Sequence, residues 1–126
     1  MGASRERSQI EAAYAAWDAA FNAHDAKGFA ALYVQDATFL PATHEVVEAP
    51  AGVERFFVKI FADGLTGHKF ELITTHVEGD TLVAAAKWTV RGKDADGSPA
   101  TFDGIATHVF LRQPDGSLKL RLHTFN

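Results

Sequence analysis

The chain has 126 residues, 47% of them hydrophobic and 22% charged, an ordinary globular usage that argues against fibrous, disordered and membrane-embedded classes. Its formal charge of −4 comes without a run of lysine or arginine, which argues against nucleic acid as a partner because phosphate-backbone binding needs clustered cations. The absence of cysteine excludes disulfides, thiolate catalysis and every cysteine-based metal site.

The start, Met1 to Gln9, is polar and carries Arg5, Glu6 and Arg7 with no apolar segment of signal-peptide length behind it. No stretch approaches the ~20 apolar residues that span a bilayer, so the expectation is a cytoplasmic protein with no membrane partner. Ser4 and Ser8 are both N-cap residue types. Ile10, Tyr14, Trp17 and Phe21 follow at one-face spacing, which predicts a helix from about Ser4 to Ala23. The segment Asn22-Ala23-His24-Asp25 breaks it, and Asp25 is placed to cap a short second helix carrying Phe29, Leu32 and Tyr33.

Asp36 to Leu40 has the β-branched and aromatic content of a short strand, ended by Pro41, which cannot donate to a ladder. Residues 41 to 50 read as a loop. Pro50 suits the first turn of a third helix whose apolar set, Val53, Phe56, Phe57, Ile60 and Phe61, stops near Gly64. From His68 onward the pattern changes to four β segments: His68 to Glu78, Thr81 to Lys93, Ala100 to Gln113 and Leu118 to Phe125. They are separated by the turn compositions Glu78-Gly79-Asp80, Asp94-Ala95-Asp96-Gly97 and Pro114-Asp115-Gly116. Helices first and hairpins later predict an α+β fold, an antiparallel sheet with the helices over one face, in one domain spanning 1–126.

Ten phenylalanines beside two tyrosines and two tryptophans predict large apolar walls. Tyr14, Trp17, Tyr33, Phe39, Phe57, Trp88 and Arg121 are candidate ligand-binding residues, although aromatic side chains at helical or strand spacing more often simply fill a core. His24, His44, His68 and His76 are scattered over loops and strand ends, and no close His/Asp/Glu motif marks a zinc site. Asp94, Asp96 and Gly97 look like part of a calcium loop, but the bidentate glutamate is missing and a hairpin turn is the better reading. Phosphate-cradling glycines, a nucleophile elbow and a dinucleotide fingerprint are all absent from the sequence. No metal or cofactor is expected.

His108 and His123 are the candidate catalytic residues. A two-residue loop at Pro114-Asp115-Gly116 would set His108 opposite His123, with Arg121 and Phe125 on the same face. A type I turn with Gly116 in a bulge, which Pro114 favours, would slip the pairing by one residue and move side chains to the other face.

The order helix, helix, strand, helix, four strands resembles the nuclear transport factor 2-like superfamily, in its SnoaL-like and ketosteroid isomerase-like branches. The likeness is carried by Phe21-Asn22-Ala23-His24-Asp25, Leu32-Tyr33, Asp36-Ala37-Thr38-Phe39-Leu40-Pro41, Gly52-Val53 with Phe56-Phe57, and Pro114-Asp115-Gly116 before Leu118-Lys119-Leu120. It implies a single SnoaL-like domain over 1–126, a cone-shaped curved sheet wrapped around the N-terminal helices (a cystatin-like α+β barrel), an apolar pocket, and homodimers through the sheet's outer face. Ketosteroid isomerases use a carboxylate after the first strand as proton shuttle and stabilise the enolate with a tyrosine and a protonated aspartate. Alignment on Asn22, Asp25 and Asp36-Ala37-Thr38 puts Pro41 at the shuttle position, Trp17 at the tyrosine and His108 near the aspartate, and it favours the arrangement with His108 opposite His123. The resemblance therefore implies a small organic ligand and a cofactor-independent isomerase, cyclase or dehydratase in which His108 or His123 moves a proton and Trp17 shapes the cavity. With proline at the shuttle position, a non-catalytic ligand-binding or association module is the alternative.

Overall fold

The computed structural model describes residues 2–126, with side chains from residue 5 onward. Helix α1 (Gly2–Asn22) buries its apolar stripe, Ile10, Tyr14, Trp17 and Phe21. Ser8 lies inside this helix and does not cap it, and the Ser4 side chain falls outside the described residues, as does Met1. The break after α1 is the expected one. The Asp25 carboxylate accepts the Gly28 N–H at 2.9 Å, capping α2 (Ala26–Ala30).

This second helix is shorter than predicted. The Leu120 N–H donates to the Leu32 carbonyl at 2.8 Å, so the chain has already left the helix there, and Tyr33 opens strand β1 (Tyr33–Leu40) beside Leu120. Strand pairing thus overrides the helical phase of Leu32 and Tyr33. Within the predicted loop, Val47–Glu48 form β2, paired with Thr38 and Phe39; two residues are too few for any periodicity to reveal. Helix α3 (Ala51–Ala62) follows, with Pro50 at its N-cap, and then β3 (Thr66–Glu78), β4 (Thr81–Lys93), β5 (Pro99–Arg112) and β6 (Leu118–Phe125).

The sheet has six strands in the order β2-β1-β6-β5-β4-β3, curved and unclosed. One pairing departs from the antiparallel expectation, because β1 lies parallel to β6. The fold is α+β with the helices on the concave side, as the sequence pattern implied. Among the described residues no helix is long and apolar enough to cross a membrane.

The β5–β6 hairpin reconciles the two registers. Gly116 donates to the Gln113 carbonyl at 2.8 Å and Gln113 to the Ser117 carbonyl at 2.7 Å, with Gly116 at φ +87°, so the turn is the bulged one that Pro114 favours. Phe110 accordingly faces Leu120, yet Val109 faces Leu122 and His108 faces His123. A second irregularity, at Arg121, restores the phase that the turn shifted.

Phe29 is fully buried, with ring centroids 4.2 Å from Trp17 and 4.1 Å from Phe57. Truncating it removes the hub that joins α1 and α3. Phe29→Ala is expected to lower stability by about 3–5 kcal/mol in urea unfolding, while Val58→Ala on the exposed face of α3 changes it by about 0.5 kcal/mol or less. Equal effects would show that the helices are not joined through this ring.

Candidate functional site

Between α1, α3 and the concave sheet lies a cavity of about 520 Å³. Its walls are aromatic: Trp17 and Phe21 from α1, Phe56 and Phe57 from α3, and Phe70, Trp88 and Phe125 from the sheet. Its polar groups are few. His68 and His123 enter from β3 and β6, and the exposed Asp63 and Lys93 border it.

Each buried imidazole is held at Nδ1. His68 Nδ1 lies 2.7 Å from Asp18 Oδ1 on α1, whose other oxygen accepts the Phe70 N–H at 3.3 Å. A carboxylate only accepts, so His68 must donate from Nδ1, and its Nε2 then carries the lone pair. His123 Nδ1 shares a 2.7 Å hydrogen bond with the Tyr33 hydroxyl, and His108 Nδ1 shares one of 2.8 Å with Tyr14. Neither His68 Nε2 nor His123 Nε2 has a hydrogen-bond partner among the described residues, and neither is sealed by protein atoms. His108 Nε2 differs, because it is enclosed and unpartnered.

Burial is the main cause that depresses all three imidazoles, since a charged ring loses its hydration. For His68, the Asp18 hydrogen bond and charge oppose that depression. His108 is pushed down to about 3, with the nearby His68 charge as a lesser cause. His123 falls well below the usual imidazole range through burial and the His108 and His68 charges. Burial likewise raises Tyr14 and Tyr33, so both phenols stay neutral. The inner site at pH 7 is an uncharged hydrogen-bonding array backed by one carboxylate.

The structure gathers part of the predicted set. Trp17, Phe57, Trp88 and His123 line the cavity. Tyr33 stands behind His123 as its Nδ1 partner, and Phe39 packs on the same imidazole with centroids 4.8 Å apart. Tyr14 and His108 pair deeper in the core, the His108 ring 4.4 Å from that of His123, and His108 does not line this cavity. Arg121 is misplaced by the expectation. The bulge turns it outward, where it is exposed and its Nη1 donates to the Asp36 carbonyl, bracing the irregular stretch of β1 in which Asp36 has φ +62°.

Sequence reasoning missed Asp18 and His68. Asp18 follows Tyr14 by four residues and precedes Phe21 by three, so a carboxylate borders the apolar stripe of an alanine-rich helix. His68 shares the inward phase of Phe70. Both signals are present, but neither forms a local motif. Among the described residues no group of three or more His, Asp or Glu is placed to hold a metal ion.

Helices seated in the concavity of an unclosed curved sheet, around an aromatic-walled cavity, define a cystatin-like α+β fold. The model of the SnoaL-like domain matches residues 13–119, and the chain belongs to that family, within the nuclear transport factor 2-like superfamily. Similar solved structures include Aln2 from a Streptomyces species, at 23% identity and a TM-score of 0.85, covering 97% of this chain and 90% of that one. A nuclear transport factor 2-like protein with a cystatin-like fold from Novosphingobium aromaticivorans is 20% identical, with a TM-score of 0.80 and coverage of 96% and 80%. A ketosteroid isomerase-like protein from Erwinia carotovora atroseptica is 16% identical, with a TM-score of 0.80 and coverage of 94% and 92%. No curated protein matches. At these identities the likeness carries the fold, and the reaction must be argued from the residues.

Histidines held neutral by burial make stability depend on pH with a definite sign. Their folded values lie below the unfolded ~6.5, so below that pH the unfolded chain binds more protons and acid favours it. Stability is expected to be full above about pH 6.5 and to fall as pH drops toward the folded His108 value of about 3. The limiting slope is about 1.4 kcal/mol per pH unit for each such imidazole. Urea midpoints at pH 7, 6 and 5 measure this. Midpoints that stay level would mean that the imidazoles are not held neutral.

Proposed function

We propose that this protein, acting as one unit over 1–126, takes a small, largely apolar organic molecule into the cavity and moves a proton on it without a cofactor, as an isomerase, cyclase or dehydratase. One observation carries the reading: the Asp18–His68 pair, at 2.7 Å, leaves His68 Nε2 without a hydrogen-bond partner among the described residues, on a residue that lines a largely apolar chamber. Proline at the shuttle position leaves the family's usual base absent, and His68 is a base of different origin, entering from β3 rather than after β1.

In this reading His68 Nε2 accepts a proton from a carbon beside a carbonyl or leaving hydroxyl. The Asp18 carboxylate holds the correct tautomer and stabilises the imidazolium as it forms. Tyr33 donates to His123 Nδ1, which leaves an N–H at His123 Nε2 to hydrogen-bond the substrate oxygen on which charge develops. The aromatic walls exclude water, so both interactions act in a low dielectric. Trp17 sets the width of the chamber, packing within 4.3 Å of His68 and 6.0 Å of His123 by ring centroids. His108 backs His123 from the core. Self-association through the outer face, where Ile105 is half exposed, belongs to the same reading.

The second reading is a binding module without turnover, favoured by the small number of polar groups in the cavity. A panel of cyclic ketones and aromatic hydroxy-ketones separates the two. Compounds that raise the melting temperature are incubated with the protein in D2O, and deuterium incorporation is followed by mass spectrometry. The proposed enzyme exchanges a carbon-bound proton, and His68→Ala lowers that rate about 100-fold or more while ligands still raise the melting temperature. Binding without exchange favours the module, and exchange that survives His68→Ala removes His68 from the reaction.

A further inference from the structure

His68 lies in an irregular part of the sheet. β3 is an edge strand, and its pairing with β4 slips between Thr66 and Lys69, where Gly67 has φ +67°. Such a bulge re-aims a side chain and leaves backbone groups unpaired. On the free edge there is no further strand to pair the outward N–H and C=O of His68.

Helix α1 supplies the partner. Asn22 Oδ1 accepts the His68 N–H at 2.8 Å and Asn22 Nδ2 donates to the His68 carbonyl at 3.2 Å. This is the pair of bonds that a neighbouring antiparallel strand would make. Asp18, one helical turn earlier, takes the ring Nδ1 and the next outward N–H, that of Phe70. Asn22 and Asp18 are therefore a two-residue surrogate strand on the helix: one fixes where the His68 backbone sits and the other fixes how its ring turns. Asn22 bonds only the His68 backbone and does not line the cavity.

We infer that Asn22 is a positioning residue for His68, acting through the backbone at the bulged sheet edge so that the ring meets Asp18 and its Nε2 opens into the cavity. The inference rests on the proposed role of His68 as base, but its first readout does not. Long-range 1H–15N NMR of 15N-labelled protein at pH 7 reports the His68 tautomer directly. Wild type is expected to show Nδ1–H as the dominant form with a slowly exchanging proton. Asn22→Ala is expected to show mixed tautomers and at least about tenfold faster Nδ1–H exchange. Asn22→Asp keeps the acceptor for the backbone N–H and loses the donor to the carbonyl, so it should fall between the two and guards against a variant that does not fold.

Where a turned-over ketone has been found, Asn22→Ala should lower kcat about 10- to 100-fold with KM nearly unchanged. A folded Asn22→Ala with wild-type His68 signals, or an Asn22→Asp indistinguishable from wild type, overturns the positioning role whatever the protein's reaction is. The expected NMR change without any turnover in wild type would leave the positioning role standing and remove the catalytic reading.

Discussion

A strand at the edge of a sheet cannot leave its backbone groups unpaired against the protein interior, and the attachment of α1 to β3 answers that constraint. Asp18 and Asn22 occupy the outward donors and acceptor of His68 and Phe70. The helix is thereby held at a fixed distance from the strand instead of sinking into the concavity. Trp17 and Phe21 then hang over the sheet as a roof, and α3 closes the side through Phe57, 5.9 Å from Trp17 and 6.1 Å from Phe21 by ring centroids. Edge-to-face rings make a stiff wall. The empty volume follows from polar bonds that locate a helix, with aromatic side chains too rigid to collapse into the gap.

Inside that wall, three imidazoles and two phenols make a polar seam through an apolar core. Each Nδ1 has a partner, two hydroxyls and one carboxylate. The Tyr33–His123 bond depends on Tyr33 belonging to β1 and not to α2, where it would sit elsewhere on a helical turn. The His123 placement depends in turn on two compensating irregularities of the β5–β6 hairpin. Without the one at Arg121, the turn's phase would carry His123 away from the core. The exposed arginine that marks this bulge serves the site from outside by keeping β1 and β6 in their irregular pairing.

Much of the fold was legible in the sequence because long elements carry period. The stripe on α1, the apolar set on α3 and the four β segments emerged with ends within a few residues of those observed. What escaped was short or non-local. A two-residue strand has no period, and the parallel β1–β6 pairing joins residues 84 to 87 positions apart, which no local pattern encodes. His123 and Trp17 could be named from the resemblance and the hairpin. The Asp18–His68 pair could not, because its members are 50 residues apart and meet only once a helix crosses a sheet edge. His108 and Arg121 show the converse limit: residue type and approximate face were enough to nominate them, yet enclosure and one bulge decide what each can reach.

The balance on His68 decides whether this geometry is chemically useful. Burial alone would drive the imidazole toward a poor base, one that stays neutral but holds a proton weakly. A carboxylate alone, in a wetter setting, would favour the imidazolium and leave no lone pair to accept a proton. Here the two act in opposition, with burial the larger, so the resting ring is neutral while the charge it would acquire has a counter-ion 2.7 Å away. Asp18 is itself partly solvated, its side chain 21% exposed. His108 has burial without a carboxylate and is pushed down to about 3, too low to take up a proton near neutral pH. His68 and His108 thus differ both in how deeply they are enclosed and in the helical carboxylate that stands beside His68.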